Sequence, residues 1–309
     1  MSRKSLISQV ACLSLALVLM GLMGCENGNL FGKLHDSGDS RDINVLQSDA
    51  QIALEHKDFA GALSLYERIL AQSPDNSNAL NGAAIAAVAG AGLNFGQILA
   101  NISKQGAAPS IDGLGDLVSA ARSGFSTQNV SASSILAGVD LPTLDACLDL
   151  AICRLTRIVS GLGDGVIKTD DPAILIDLAC LRLIRGTLRP IRAGFFDVEK
   201  VGGTYKLVLL TDANTICGNS ANDPLVIASA KDLVAGYVLF SKSVQVLGAA
   251  TNSIVARLQT QMDECVVAGL TPGNANALPS ACITTINTAG ITSTNFRTNT
   301  EAFSPQSGC

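Results

Sequence analysis

The first 25 residues constrain this chain most, because they indicate the compartment in which the rest of it folds. Arg3 and Lys4 lie at the start, and no charged residue occurs from Leu6 to Gly24, where Leu, Val, Ala and Met dominate. A short basic region followed by an apolar stretch is typical of a secretory signal peptide. We therefore predict that residues 1–24 are a signal peptide and that the remaining chain folds after export.

The end of this stretch, Leu22-Met23-Gly24-Cys25, resembles the lipobox of bacterial lipoproteins. That motif is an aliphatic residue, a tolerant position, a small residue and a cysteine. The resemblance implies cleavage before Cys25 and acylation of Cys25 with chains such as palmitate. Each buried methylene contributes about 0.8 kcal/mol, and two or more chains give a stable anchor. The alternatives are an ordinary signal peptide or an uncleaved anchor, with a chance cysteine.

The residues that follow suggest where the anchor lies. Residue 26 is Glu, whereas in the common proteobacterial sorting scheme an Asp there retains lipoproteins in the inner membrane. We expect the protein in the cell envelope, anchored to the outer membrane and facing the periplasm or the cell surface. Residues 25–41 are polar and rich in Gly, which is typical of a flexible tether.

Charge and composition exclude some classes of partner. Without residues 1–24 the chain keeps 285 of its 309 residues and a net charge of about −7. General nucleic-acid binding needs a basic surface, so we expect no nucleic-acid partner. Aromatic residues are only 4% of the chain and Trp is absent, which disfavours stacking sites for sugars or bases. Aliphatic residues and Ala supply most of the apolar content, which favours a core of helix faces.

Residues 43–76 resemble one tetratricopeptide repeat, a unit of about 34 residues that forms two antiparallel helices. The usual Gly of the turn between the helices is Lys57 here, and the next residues match the start of the second helix. Leu80, Ala84 and Ala87 begin a second unit before Ala89-Gly90-Ala91-Gly92 interrupts it. Eight residues occupy the packing positions of the first repeat: Leu46, Ala50, Ala53, Phe59, Ala62, Tyr66, Ile69 and Pro74.

The middle of the chain also has helical periodicity. Apolar residues recur at spacings of three and four in 141–160 and again in 171–186, where Gly186 is the predicted end. The most apolar later segment, Leu225–Ala250, contains Lys231 and Asp232, which we place on the polar side of an amphipathic core helix. The composition of Thr204–Thr211 is typical of a strand, although part of a helix is the alternative.

The fold class predicted from these patterns is all-α: a solenoid of repeats like the tetratricopeptide repeat, or a helical bundle. We assign residues 42–110 to the repeat-like region, 111–270 to a further α-helical domain and 271–309 to a polar, largely irregular and flexible tail. The tail is rich in Ser, Thr, Asn, Gly and Pro. Cys282 or Cys309 would hold it down if either forms a disulfide.

Cysteine spacing favours disulfides over metal binding. Seven cysteines follow Cys25, no two of them spaced Cys-x-x-Cys, and no His lies near any of them. Disulfides persist in the oxidising space that export implies. Seven is an odd number, so at most three bridges form and at least one thiol remains.

A search for catalytic motifs finds none with the required spacing. The two histidines, His35 and His56, lie in the tether and at a helix turn. The segment Gly161–Thr169 resembles a phosphate loop superficially, but Ile167 stands where that loop needs Gly before Lys. We therefore expect neither an enzyme nor a cofactor or metal site.

Four arginines are candidates for an anion or partner patch: Arg154, Arg157, Arg182 and Arg185. They belong to two similar segments, Asp149–Arg157 and Asp177–Arg185, which share the pattern Asp-Leu-Ala-x-x-Arg-Leu-x-Arg. The alternative, which we favour, is that they form salt bridges, with Asp145, Asp149 and Asp177 as the partners.

Two functions fit these observations. The first is a scaffold in the envelope, because the repeat resemblance implies a concave groove that binds other envelope proteins. The second is an accessory lipoprotein of a transport system that encloses a small ligand in an apolar cavity. A filled core with an exposed groove favours the scaffold, and an apolar tunnel favours the transport component.

Replacing the predicted lipidation residue tests the first expectation. We expect Cys25→Ser to abolish incorporation of labelled palmitate, because the acceptor thiol is lost. The mass of the purified wild-type chain should correspond to an acylated N-terminal Cys25. Cys12→Ser is the control, since that cysteine precedes the cleavage site, and equal labelling of both variants would contradict the prediction.

Overall fold

The computed structural model describes residues 42–93, 141–192, 196–201, 204–209, 216–248, 260, 263–264, 266–274, 278–298 and 303–304. The predicted lipidation residue Cys25, the signal peptide 1–24, the tether 25–41 and residues 94–140 lie outside the described residues. The chain divides into two compact units, Met1–Val45 and Leu46–Cys309, and the packing below is that of the second.

Three helices begin the described chain: α1 (Ile43–Glu55), α2 (Phe59–Gln72) and α3 (Ser77–Gly90). Asp58 and Asn76 cap the last two, because their side-chain oxygens accept hydrogen bonds from the N–H groups of Gly61 and Ala79, each at 2.9 Å. Lys57, in the turn before α2, has φ 61°, in the left-handed region that favours glycine.

The structure places most of the eight predicted packing residues in the interior. Five are buried, namely Leu46, Ala50, Ala62, Tyr66 and Ile69. Ala53 and Phe59 are half-buried, and Pro74 is exposed.

Helix α3 is buried along most of its length and packs against α2 and α4 (Leu141–Val159). Its alanines and Gly82 allow neighbouring helices to come close. A Cβ atom on Gly82 would lie 2.2 Å from the Tyr66 ring, so the aromatic ring of α2 occupies the space that any larger residue would need.

Helices α4 and α5 (Pro172–Arg192) follow the predicted apolar periodicity. The buried residues of the α4 stripe are Leu144, Leu148, Ala151, Leu155 and Ile158, and those of the α5 stripe are Ile174, Leu178 and Leu181. The predicted end of the second helix at Gly186 is wrong, since α5 continues through Pro190 to Arg192.

Helix α5 continues past Gly186, because this glycine permits close packing against a neighbouring helix. A Cβ atom there would lie 2.9 Å from Leu233 Cγ and 3.0 Å from the Ser229 carbonyl oxygen of α6 (Asp223–Val246). Gly236 of α6 meets Leu183 and Ala179 of α5 in the same way. The two helices therefore cross with their backbones in near contact, which only small residues permit.

Helix α6 is a core helix, but its polar side differs from the prediction. Asp232 is buried rather than solvent-facing. By length and composition alone, α6, with 24 residues, would also suffice to cross a membrane. However, half of its most apolar 18-residue segment is buried by the rest of the protein. Such burial is also typical of a core helix.

One antiparallel hairpin accompanies the helices: β1 (Phe196–Val201) and β2 (Thr204–Leu209). Of the two structures considered for Thr204–Thr211, the strand is the one observed, and it covers Thr204–Leu209. All other regular elements of the described residues are helices, which confirms the predicted helical fold.

The C-terminal region is more ordered than its polar composition suggested. Helix α7 (Ser280–Thr288) and a 3₁₀ turn (Phe296–Thr298) lie within the predicted irregular tail. A disulfide joins Cys217 to Cys282 and holds α7 in place. Of the two cysteines that could hold the tail down, Cys282 therefore does so. The apolar residues Ile286, Ile291 and Phe296 join the main core, which explains why the composition alone was misleading.

A substitution in α3 tests the close contact with Tyr66. We expect Gly82→Ala to lower the free energy of unfolding by about 1–3 kcal/mol, because the added methyl group overpacks the ring. Denaturant unfolding followed by circular dichroism measures this loss. The control is Gly90→Ala in the same helix, where the new Cβ would lie 3.5 Å from Phe59 Cβ, an ordinary contact. That variant should keep its stability or gain up to about 1 kcal/mol, and an equal loss in both would contradict the packing argument.

Candidate functional site

The arginines proposed as an anion or partner patch lie mostly inside the protein. Arg154, Arg182 and Arg185 are 7%, 5% and 2% exposed. A buried guanidinium requires a carboxylate partner, because an uncompensated charge in the interior costs several kcal/mol. The structure supplies such partners from other helices, so these side chains do not form an open surface patch.

Asp232 of α6 is the centre of a cluster of charges that joins α4, α5 and α6. Arg182 Nη1 donates to its Oδ1 at 3.0 Å, and Arg185 Nε donates to its Oδ2 at 2.6 Å. A second Arg185 nitrogen, Nη2, also donates to Oδ1. Arg185 therefore binds the carboxylate in the bidentate geometry that makes these ion pairs specific.

The cluster continues outward to α4. Arg185 Nη1 donates to Asp149 Oδ1 at 2.6 Å, and Arg189 Nη2 donates to the same oxygen at 2.7 Å. Arg189 Nε reaches Asp145 Oδ1 at 3.2 Å. We call these six residues the arginine–aspartate network: Asp145, Asp149, Arg182, Arg185, Arg189 and Asp232. Its three positive and three negative charges balance, so it has no net charge to attract an ion.

The pKa of Arg185 reflects this arrangement. Burial by itself lowers the pKa, because it disfavours the charged guanidinium. The hydrogen bonds and charges of Asp232 and Asp149 outweigh burial, and the pKa is raised above its ordinary value. The Arg185 guanidinium is therefore charged at any physiological pH.

The two other arginines of the proposed patch tie α4 to the N-terminal helices. Arg154 forms an ion pair with Glu67 of α2, and Arg157 Nη2 lies 2.6 Å from Asp75 Oδ1 in the loop before α3. The two similar segments of α4 and α5 thus use corresponding arginines in the same way. In each helix they bind carboxylates that another element supplies.

Sequence reasoning found only some of these partners. It proposed Asp145 and Asp149, which do pair with arginines, but not Asp232, Glu67 or Asp75. The omitted carboxylates are 47 to 87 residues away from their arginines. One feature of the sequence could have identified Asp232 as a buried partner: it lies within an apolar segment that is long enough for a core helix.

The third proposed carboxylate, Asp177, behaves differently. Among the described residues no ion pair joins it to an arginine. Burial first, and then the negative charge of Asp171, raise the pKa of the Asp177 carboxyl to about 6. Burial and the charge of Asp177 also raise the pKa of the nearby thiol of Cys180 to about 12, so that thiol is not a reactive thiolate at neutral pH.

The loop between α4 and α5 forms a shallow cavity of about 330 Å³. Asp164, Asp170 and Asp171 outnumber Lys168 in this loop, which gives it a negative local charge. Asp171 also occupies the N-terminus of α5, because its Oδ1 accepts from Ala173 N at 2.9 Å. This negative local charge disfavours phosphate binding in the cavity. Its lining residues are Ile158, Gly161, Gly163, Gly165, Ile167, Lys168, Thr169 and Asp170.

The same loop docks onto the start of α3. Asp164 N donates to the Asp75 carbonyl oxygen at 2.7 Å, and the Asp164 carboxylate accepts from Ser77 Oγ and Val166 N. Desolvation alone would raise the pKa of Asp164, but these hydrogen bonds together lower it. The acidic residue is thus a structural acceptor in the contact between two loops.

Within the described ranges, no group of three or more His, Cys, Asp or Glu residues could hold a metal ion. His56 is exposed at the end of α1, and His35 lies outside the described residues. No family model, no curated protein and no solved structure matches this chain. The ion pairs described above join helices of the described chain.

Removing the central carboxylate tests that role. We expect Asp232→Asn to lower the free energy of unfolding by about 3–5 kcal/mol, because two buried arginines lose their counter-charge. The control is Asp75→Asn, whose side chain is 61% exposed beside Arg157, with an expected loss of about 0–1 kcal/mol. Chemical denaturation of both variants makes the comparison, and similar losses would show that Asp232 is not the central charge.

The pH dependence of stability tests Asp177. Its pKa is about 6 in the folded protein and about 3.9 in an unfolded chain, so the folded state binds the extra proton between these values. This group therefore lowers stability as the pH rises from about 4 to about 6. We expect Asp177→Asn to unfold at a higher denaturant concentration than wild type at pH 8, with a gain of up to about 3 kcal/mol.

The same variant provides its own control at low pH. Below about pH 4 the wild-type carboxyl is protonated and nearly equivalent to the amide, so the two proteins should unfold alike. A stability difference that does not change between pH 4 and pH 8 would refute the assigned protonation.

Proposed function

We propose that this protein is a lipid-anchored, non-enzymatic scaffold of the bacterial cell envelope that binds other envelope proteins. The proposal combines the lipobox-like Leu22–Cys25 with the helical body that follows it. In this proposal Cys25 is acylated and holds the protein to the outer membrane. The helices α1 to α3 act as a repeat of the tetratricopeptide type.

The arrangement of α1 to α3 is the observation that carries the scaffold proposal. Helices α1 and α2 are joined by a tight turn, and α2 and α3 are capped at their N-termini. Leu80, Ala84 and Ala87 of α3 occupy the first-helix positions of a second unit, and all three are buried. A repeat of this kind cannot bury its apolar face alone and stacks on a neighbour. Helix α4 packs on α3 and supplies such a neighbour.

The interior chemistry also favours a binding protein over an enzyme. The buried arginines are neutralised by the protein's own carboxylates. The described thiol of Cys180 is buried with a raised pKa. Such groups stabilise a rigid body, and recognition would take place on its surface.

The alternative, an accessory lipoprotein of a transport system, requires an apolar cavity for a small ligand. The cavity between α4 and α5 is small, with glycines, Lys168 and Asp170 among its lining residues. Ligand pockets are usually enclosed and predominantly apolar, with volumes of roughly 300–1,000 Å³. This cavity is open to solvent, and Lys168 and Asp170 line part of it. It is therefore not the enclosed, predominantly apolar cavity that the transport component requires.

An affinity purification tests the proposal. The full chain is tagged, purified from detergent-solubilised envelope and analysed by mass spectrometry for copurifying proteins and lipids. We expect one envelope protein in stoichiometric amount. A bound small apolar molecule without a protein partner would instead support the transport component, and the absence of both would contradict the scaffold proposal.

A matched pair of variants locates the contact. Ile52, an apolar residue of α1, is 40% exposed, and Leu247, just after α6, is 52% exposed. We expect Ile52→Glu to reduce partner recovery at least tenfold, which corresponds to about 1.4 kcal/mol. Leu247→Glu should leave recovery unchanged. If Leu247→Glu reduces recovery and Ile52→Glu does not, the binding surface lies outside the repeat-like helices.

A further inference from the structure

We draw no further inference here: the strongest candidate, the surface patch that the exposed side chains of Leu162 and Val166 form on the loop between α4 and α5, carries nothing, because nothing in the structure shows what covers it.

Discussion

The ion pairs of Asp232 are the constraint on which the packing of the helical body depends. A carboxylate inside an apolar helix interface is stable only when cations meet it at short range. Arg182 and Arg185 do so from α5, and Arg185 extends the contact to Asp149 of α4. These directional bonds fix how α4, α5 and α6 are rotated about their axes. Apolar contacts alone are less directional and would permit several rotations.

The rotation set by these ion pairs brings small residues into the helix crossing. The residues that Gly186 would meet, Ser229 and Leu233, lie on either side of Asp232 in the sequence. Gly236 would meet Leu183, which lies between Arg182 and Arg185. The close approach of α5 and α6 shortens the distance between the buried charges and excludes water from them. Charge pairing and small-residue packing therefore require each other, since larger residues at the two glycines would separate the arginines from Asp232.

Local patterns predicted the parts of this structure that depend on local physics. The three- and four-residue spacing of apolar residues identified α4 and α5, because a buried stripe is a property of one helix. The buried role of Asp232 and the contact at Gly186 could not be obtained in this way. Both depend on an element about 50 residues away, and a glycine that permits close packing looks like a helix end in sequence. Only one strand of the hairpin was predicted. The composition of β2 is typical of a strand, whereas in β1 the charged residues Asp197, Glu199 and Lys200 hide the strand pattern.

The balance of charges inside the protein bears on how it could recognise others. The network of three arginines and three aspartates is neutral, and Arg154 and Arg157 are paired as well. The chain's excess of acidic over basic residues must therefore be carried by groups outside these pairs. An acidic surface of this kind disfavours non-specific attraction to anionic lipid and nucleic acid. Contacts with other proteins would then depend on apolar positions such as Ile52, where shape rather than net charge determines the partner.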